Sequence, residues 1–424
     1  MPSRRRLIWS GIGVAALGAL AVSRPRDAGQ PHDGYFASLQ QGLRAAGIAQ
    51  PTIVVDRERM KRNLARIGER ARQQGLPVRV VVKSLPSLAL VDAALGAWGS
   101  DRTMLFNAAQ LVQIANERSN AKILLGKPLP AAAAQQAMSR MASSLDRVEW
   151  LVDTPQRLAQ YRDLARAART RLRLNIEIDV GLHRGGVEST DMLAQMLAII
   201  RDEPLLAWSG FMGYDAHVTG IPDIAGSRAK AQADARARYD TMWTTARQVL
   251  PTQALREALT LNTGGSPTFH LHDKTGLPNE VAVGSAALKP SDFDIPSLAE
   301  LEPAVFIATP VLKDLGRFRL PEGVGLVSSL ARLWDPNETQ AYAIHGGHWH
   351  AVPVSPAGIA PSGLFGNSSN QQVMVASAHT GLVPDDFVFF RPQHSEAVLL
   401  QFGDIALVEQ GRVVEMAPVF AASA

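Results

Sequence analysis

Between residues 78 and 286 the sequence alternates short apolar runs with longer amphipathic stretches, and no other feature narrows the fold as far. The runs at 78–83, 103–107, 122–126, 148–153, 172–179, 206–214, 259–263 and 281–286 have the length and β-branched content of buried strands. Segments between them, including 131–142, 155–169 and 189–202, carry helical periodicity. Eight strand–helix units over roughly 210 residues are what a closed α/β barrel of the (β/α)8, TIM-like kind needs, and its functional groups gather at the C-terminal ends of the strands. A doubly wound open sheet is the alternative reading of the same alternation.

The flanks read differently. A polar, poorly patterned stretch runs to about residue 50; a strand follows at 51–56, then a helix at 57–74 with Met60, Leu64 and Ile67 on one face. After about residue 300 the pattern changes to short strands rich in Val, Phe and Gly, with turns at Glu322-Gly323 and Gln410-Gly411. The reading is a barrel over 50–300 and a C-terminal β domain over 301–424, with which residues 29–56 are candidates to pack. Among 424 residues, 46% hydrophobic and 19% charged, there is ample core material, and a net charge of +4 without a long basic run argues against a nucleic-acid partner. Cysteine is absent, so disulfides, thiolate nucleophiles and cysteine metal sites are excluded, and any metal must be held by histidine and carboxylate.

Residues 1–28 read as an export signal. Ser3-Arg4-Arg5-Arg6-Leu7-Ile8 precedes an apolar run to Val22, as in twin-arginine signals, and Ala19-Leu20-Ala21 is a candidate cleavage site. The expected location is therefore the periplasm, with an uncleaved membrane anchor as the alternative; the apolar run, about 16 residues, is slightly short for a span.

The strand ends carry the chemistry. Arg79-Val-Val-Val-Lys83-Ser84 is a buried-strand pattern ending on a single lysine, where desolvation favours the neutral, nucleophilic amine used in Schiff-base chemistry. The fifth strand ends in Asp179-Val-Gly181-Leu-His183-Arg184-Gly185-Gly186 and the sixth in Gly213-Tyr214-Asp215-Ala216-His217. After the seventh and eighth come Thr263-Gly264-Gly265-Ser266 and Gly284-Ser285, the small residues with which a barrel holds phosphate. An amine, a phosphate cradle, an arginine, a tyrosine and a histidine at one rim suit a phosphorylated aldehyde bound as an imine to Lys83, which is pyridoxal 5′-phosphate.

From about Pro51 to the C-terminus the chain resembles the alanine-racemase-like, fold-type III pyridoxal-phosphate enzymes, and within them the D-threonine aldolase and D-serine dehydratase group. Arg79 and Lys83 match that group's Arg-Pro-His-x-Lys segment, with Val80 and Val81 in place of Pro and His. Its Asp-x-Gly-x-x-Arg-x-Gly motif is present as Asp179, Gly181, Arg184 and Gly186, and the resemblance puts Arg184 near the cofactor's phenolic oxygen. Where the group has Arg-Pro-Gly, this chain has Ala282-Val283-Gly284, which leaves the partner of the pyridine nitrogen unassigned.

The resemblance also implies a divalent metal, Mn²⁺, Mg²⁺ or Zn²⁺, because Pro392-Gln393-His394-Ser395-Glu396 matches a segment of the form Pro-x-His-x-Asp. On an extended segment His394 and Glu396 would point to the same side and reach one cation, and a carboxylate there suits a hard ion. The group's Ser-Glu-Glu-His-Gly has become Ala376-Ser377-Ala378-His379-Thr380, and His345, His348 and His350 fall close together in sequence. The implied activity is a metal-assisted lyase acting on a small-molecule β-hydroxy D-amino acid, with His217, His379 or Tyr214 as the base. Dehydration of the D-serine type is the alternative, followed by racemisation and by a non-catalytic carrier of the cofactor. A homodimer is expected.

Overall fold

The computed structural model describes residues 25–141, 145–250, 252, 256–319, 335–396 and 398–421. The expected export signal, all but its last residues, and the Glu322-Gly323 turn lie outside the described residues. Among those described, no helix is long and apolar enough to cross a membrane.

In chain order, helix α1 (Gly34–Ala45) precedes strand β1 (Thr52–Asp56) and helix α2 (Arg57–Gln74). Strands β2 (Val78–Val81), β3 (Arg102–Leu105), β4 (Lys122–Leu125) and β5 (Val148–Val152) then alternate with α3 (Leu88–Trp98), α4 (Ala108–Glu117) and α5 (Ala131–Arg140). Next come α6 (Pro155–Ala168), β6 (Leu172–Glu177), α7 (Thr190–Asp202), β7 (Leu206–Gly213), the short α8 (His217–Gly220), α9 (Ser227–Val249), β8 (Thr260–Thr263) and β9 (Glu280–Val283). Strands β2 to β9 are parallel and close into a barrel, β9 pairing back onto β2 through Val78↔Val281 and Val80↔Val283. That closure decides against the open sheet. All eight expected strands are present, most of them shorter at the C-terminal end because the chain leaves each strand early to form the rim.

The chain forms two compact units. The barrel unit comprises 55–305, 393–407 and 415–424, so that His394 and Glu396 belong with the barrel and not with the β domain in which the sequence placed them. The other comprises the described residues of 1–54, 306–392 and 408–414. It contains most of β10 (Val305–Arg317), then β11 (Gln340–His345), β12 (Ala351–Ser355), β13 (Ala360–Pro361), β14 (Gln371–Ala376) and β15 (Phe387–Pro392). The pairs β10–β11, β11–β14, β10–β15 and β12–β15 are antiparallel. Strands β16 (Ile405–Glu409) and β17 (Arg412–Ala417) flank the expected Gln410-Gly411 turn, where both residues have positive φ, the conformation a two-residue hairpin of matching twist requires.

Helix α1 corrects the reading of the first 50 residues as unpatterned. Asp33 caps it by accepting from the Phe36 amide, and Leu39, Gly42 and Leu43 are its buried residues. Two glycines and a polar middle diluted that periodicity. Helix α2 buries Met60, Leu64 and Ile67 as expected, and Ala71 with them, and its buried Asn63 is satisfied by the carbonyls of Ala287 and Glu302 and the Glu302 amide.

Inside the barrel the period of two sets alternate residues inward. Arg79 and Glu280, 1% and 0% exposed, form a bidentate ion pair, and Arg102 reaches the same carboxylate at 2.6 Å. A second buried carboxylate, Glu149, accepts from Thr260, Ser209, Asn175 and Arg173. Removing one member of such a buried pair leaves an uncompensated charge, typically a loss of about 3–5 kcal/mol.

Candidate active site

Lys83 does not end the strand itself. It lies in a turn of 3₁₀-helix over Val82–Ser84, immediately beyond β2, and shares a cleft with Val81 of the inward face. Its Nζ is 3.1 Å from Glu396 Oε1 and 4.6 Å from the centre of the Phe106 ring. Ser84 Oγ donates to the same Glu396 oxygen at 3.2 Å and lies 2.9 Å from Ser285 Oγ. Burial pushes the Glu396 carboxyl up, but the Lys83 ammonium and hydrogen bonds from Lys83 and Ser84 outweigh it and hold the group below its ordinary pKa. The carboxylate is therefore ionised. The cleft has a volume of about 110 Å³ and is walled by the ends of β2, β3, β7, β8 and β9.

The loops after β6, β7 and β8 meet at one ring. The Arg184 guanidinium stacks over the Tyr214 ring at 4.8 Å, and on another side Gly265 approaches so closely that a Cβ there would lie 2.5 Å from Tyr214 Cε2. Burial, opposed by Arg184, pushes the Tyr214 phenol up, which favours its protonated form. Arg184 is presented by a loop folded around Asp179, whose Oδ1 accepts the amides of Gly181 and His183 at 2.9 and 3.0 Å. A second network fixes the loop after β8. Asp215 binds Thr268 Oγ1 at 2.6 Å and His272 Nε2 at 2.7 Å, and Thr268 Oγ1 accepts the Gly265 amide at 3.1 Å.

Of the residues singled out from sequence, Lys83, Arg184, Tyr214, Gly264, Gly265, Ser266, Gly284, Ser285 and Glu396 all line this cleft. Thr263 does not. The strand period turns it outward, where its hydroxyl donates to the Gly213 carbonyl and it faces a separate cavity beside α9. His217 is also absent from the lining: it opens α8, and its Nδ1 is buried without a partner among the described residues. His379 belongs to the other unit, where it lies 3.2 Å from Asp27, as do His345, His348 and His350.

His394 and Glu396 have separate partners, His394 Nε2 lying 2.8 Å from Asp292 and Glu396 meeting Lys83. The extended spacing assumed for them is not what forms, because the chain turns at Ser395, whose carbonyl accepts the Leu399 amide at 3.1 Å. Among the described residues, the group of three with ligand-type atoms within 4.8 Å of one another is Asp179, His183 and Glu188. Asn262 was missed. It lines the cleft, and the period of two puts it on the face opposite to Thr263 without saying which of the two points inward; the pairing of β8 with β7 and β9 decides that.

The alanine racemase N-terminal domain family model matches residues 55–291, more than half of the chain. The chain belongs to this family. A 3-hydroxy-D-aspartate aldolase from Paracoccus denitrificans is 22% identical over 261 residues, covering 61% of this chain and 65% of that protein, so the chain matches less than two thirds of that relative's length. Among solved structures, D-threonine aldolase from Filomicrobium marinum superposes with a TM-score of 0.70 at 18% identity, covering 93% of this chain and 97% of that one. D-threo-3-hydroxyaspartate dehydratase from Delftia sp. HT23 gives 0.68 at 17% identity, covering 94% and 100%. These neighbours share the fold of the alanine racemase family, a fold-type III barrel with an added β domain.

The residues present fit the pyridoxal phosphate of the alanine racemase family. Lys83 would be the amine for its aldehyde. The amides of Ser266 and Ser285 have no partner among the described residues, while Ser266 Oγ ties the two loops together by accepting the amides of Gly284 and Ala286 at 3.3 and 3.1 Å. Two adjacent loops with free amides after the last barrel strands make a phosphate seat.

Proposed function

We propose that the protein is a pyridoxal-phosphate-dependent lyase that cleaves a β-hydroxy D-amino acid between Cα and Cβ, releasing glycine and an aldehyde. The observation that carries this reading is the ionised Glu396 beside Lys83 Nζ at 3.1 Å. Bound at Lys83, pyridoxal phosphate supplies an imine-forming aldehyde and a ring that withdraws electrons from Cα.

The chain's own residues divide the remaining work. Lys83 holds the cofactor and yields its place to the substrate amine. Ser84 keeps the Glu396 carboxylate hydrogen-bonded and oriented towards that place. Glu396 receives the β-hydroxyl proton, since its carboxylate is held in base form in the cleft beside Lys83. Arg184 and the Tyr214 hydroxyl offer donors to the cofactor's oxygens. A divalent cation would be held by His394 and Glu396 only after they leave Asp292 and Lys83; both are part-exposed and of the donor type that hard ions prefer, and the cation would polarise the β-hydroxyl.

Purified protein loaded with pyridoxal phosphate should be given a panel of D- and L-β-hydroxy amino acids. Glycine plus aldehyde from D-substrates is the expected result. Keto acid and ammonia would replace the aldolase by the dehydratase reading, which the Delftia neighbour also supports. An inverted enantiomer, or no reaction with any member, would remove the lyase reading.

A further inference from the structure

We propose that Asn262 is the hydrogen-bond acceptor for the ring nitrogen of the cofactor. The inference rests on the assignment of pyridoxal phosphate to the cleft and goes beyond it, naming the group that tunes the ring.

Asn262 is 1% exposed and yet lines the cleft. In register it stands between Met212 of β7 and Glu280 of β9. Its Nδ2 donates to Glu280 Oε1 at 2.8 Å. Burial pushes the Glu280 carboxyl up, but the charges and hydrogen bonds of Arg79 and Arg102 outweigh it and keep the group ionised. An ionised carboxylate only accepts, so the amide of Asn262 must present its nitrogen to Glu280. Its Oδ1 is thereby fixed as the polar atom left for the cleft, and no described residue donates to it.

The strand residues around it on the floor, Val81, Met104, Met212 and Ala282, are apolar. A carbonyl that opens on a cleft walled by apolar side chains is costly to leave without a donor once a ligand fills the cleft and excludes water. A cofactor anchored at Lys83 and at the phosphate loops has one further donor group, the protonated ring nitrogen, and Asn262 is the acceptor the floor provides for it. Being neutral, the amide favours the protonated ring less than a carboxylate would. Glu280, one hydrogen bond behind it, adds charge at a remove.

The test uses the full-length protein loaded with pyridoxal phosphate labelled with nitrogen-15 at the ring, in wild type and in Asn262→Leu, which keeps the bulk and removes the acceptor. Circular dichroism confirms folding of both. Because the hydrogen bond favours the protonated nitrogen, its loss should lower the ring-nitrogen titration midpoint by about one pH unit. A second measurement compares the binding of pyridoxal phosphate and of its 1-deaza analogue, whose ring has carbon in place of nitrogen. Wild type should bind the analogue about tenfold more weakly, and Asn262→Leu should bind both alike. An unchanged midpoint in Asn262→Leu, or equal affinity of wild type for both compounds, overturns the inference while leaving the cofactor site standing. Failure of wild type to bind pyridoxal phosphate at all overturns both.

Discussion

Glu177 offers a stability test that reads the mouth of the barrel directly. It closes β6, and burial pushes its carboxyl from the ordinary 4.5 up to about 7, with Asp153 and Asp179 adding to the rise and Arg184 opposing it. Over that interval the folded protein keeps a proton that the unfolded chain releases, so stability falls as pH rises from 4.5 to about 7 and then levels off. The whole displacement corresponds to about 3 kcal/mol, a ceiling because water at the open rim screens part of it. Glu177→Gln resembles the protonated acid at every pH. It should match wild type near pH 5 and exceed it by up to about 3 kcal/mol near pH 8. Urea unfolding at the two pH values measures the difference. The same gap at both values, or a wild type that is the more stable at pH 8, would refute the assignment.

Three further outcomes follow from the cleft. Lys83→Ala should abolish the yellow colour that the wild type takes up with pyridoxal phosphate while retaining the fold by circular dichroism; a coloured variant would place the imine elsewhere. Gly265→Ala puts a methyl group against the Tyr214 ring and should weaken cofactor binding by roughly tenfold or more, in line with about 1–3 kcal/mol of overpacking, with Gly265→Asp weaker still because a carboxylate would face phosphate; unchanged affinity in fluorescence titration would move the phosphate away from this loop. Glu396→Gln should lower turnover by about 10²–10⁴-fold with the colour preserved, and a chelator should stop wild-type turnover until Mn²⁺ is restored; full activity in chelator would leave Glu396 acting without a metal, and full activity in the Gln variant would make the residue structural.

The sequence by itself determined the barrel and most of the site. Hydrophobic runs of strand length, spaced by amphipathic segments, have few packings available, and local signals such as Gly-Gly-Ser after β8 or the Asp179–Arg184 loop are written in consecutive residues. The same logic failed where a local pattern was weak, as in α1, whose two glycines hide its apolar face. It failed too where a side chain's direction depends on pairing. Thr263 and Asn262 are neighbours in sequence, and only the register of β8 against β7 and β9 sends the first outward and the second to the cleft floor. His394 and Glu396 read as an extended ligand pair, but the turn at Ser395 and the presence of Lys83 and Asp292 gave them separate partners. Contacts between residues hundreds of positions apart depend on chain closure in three dimensions, so the pairing of Lys83 with Glu396 was decided by the tertiary structure alone.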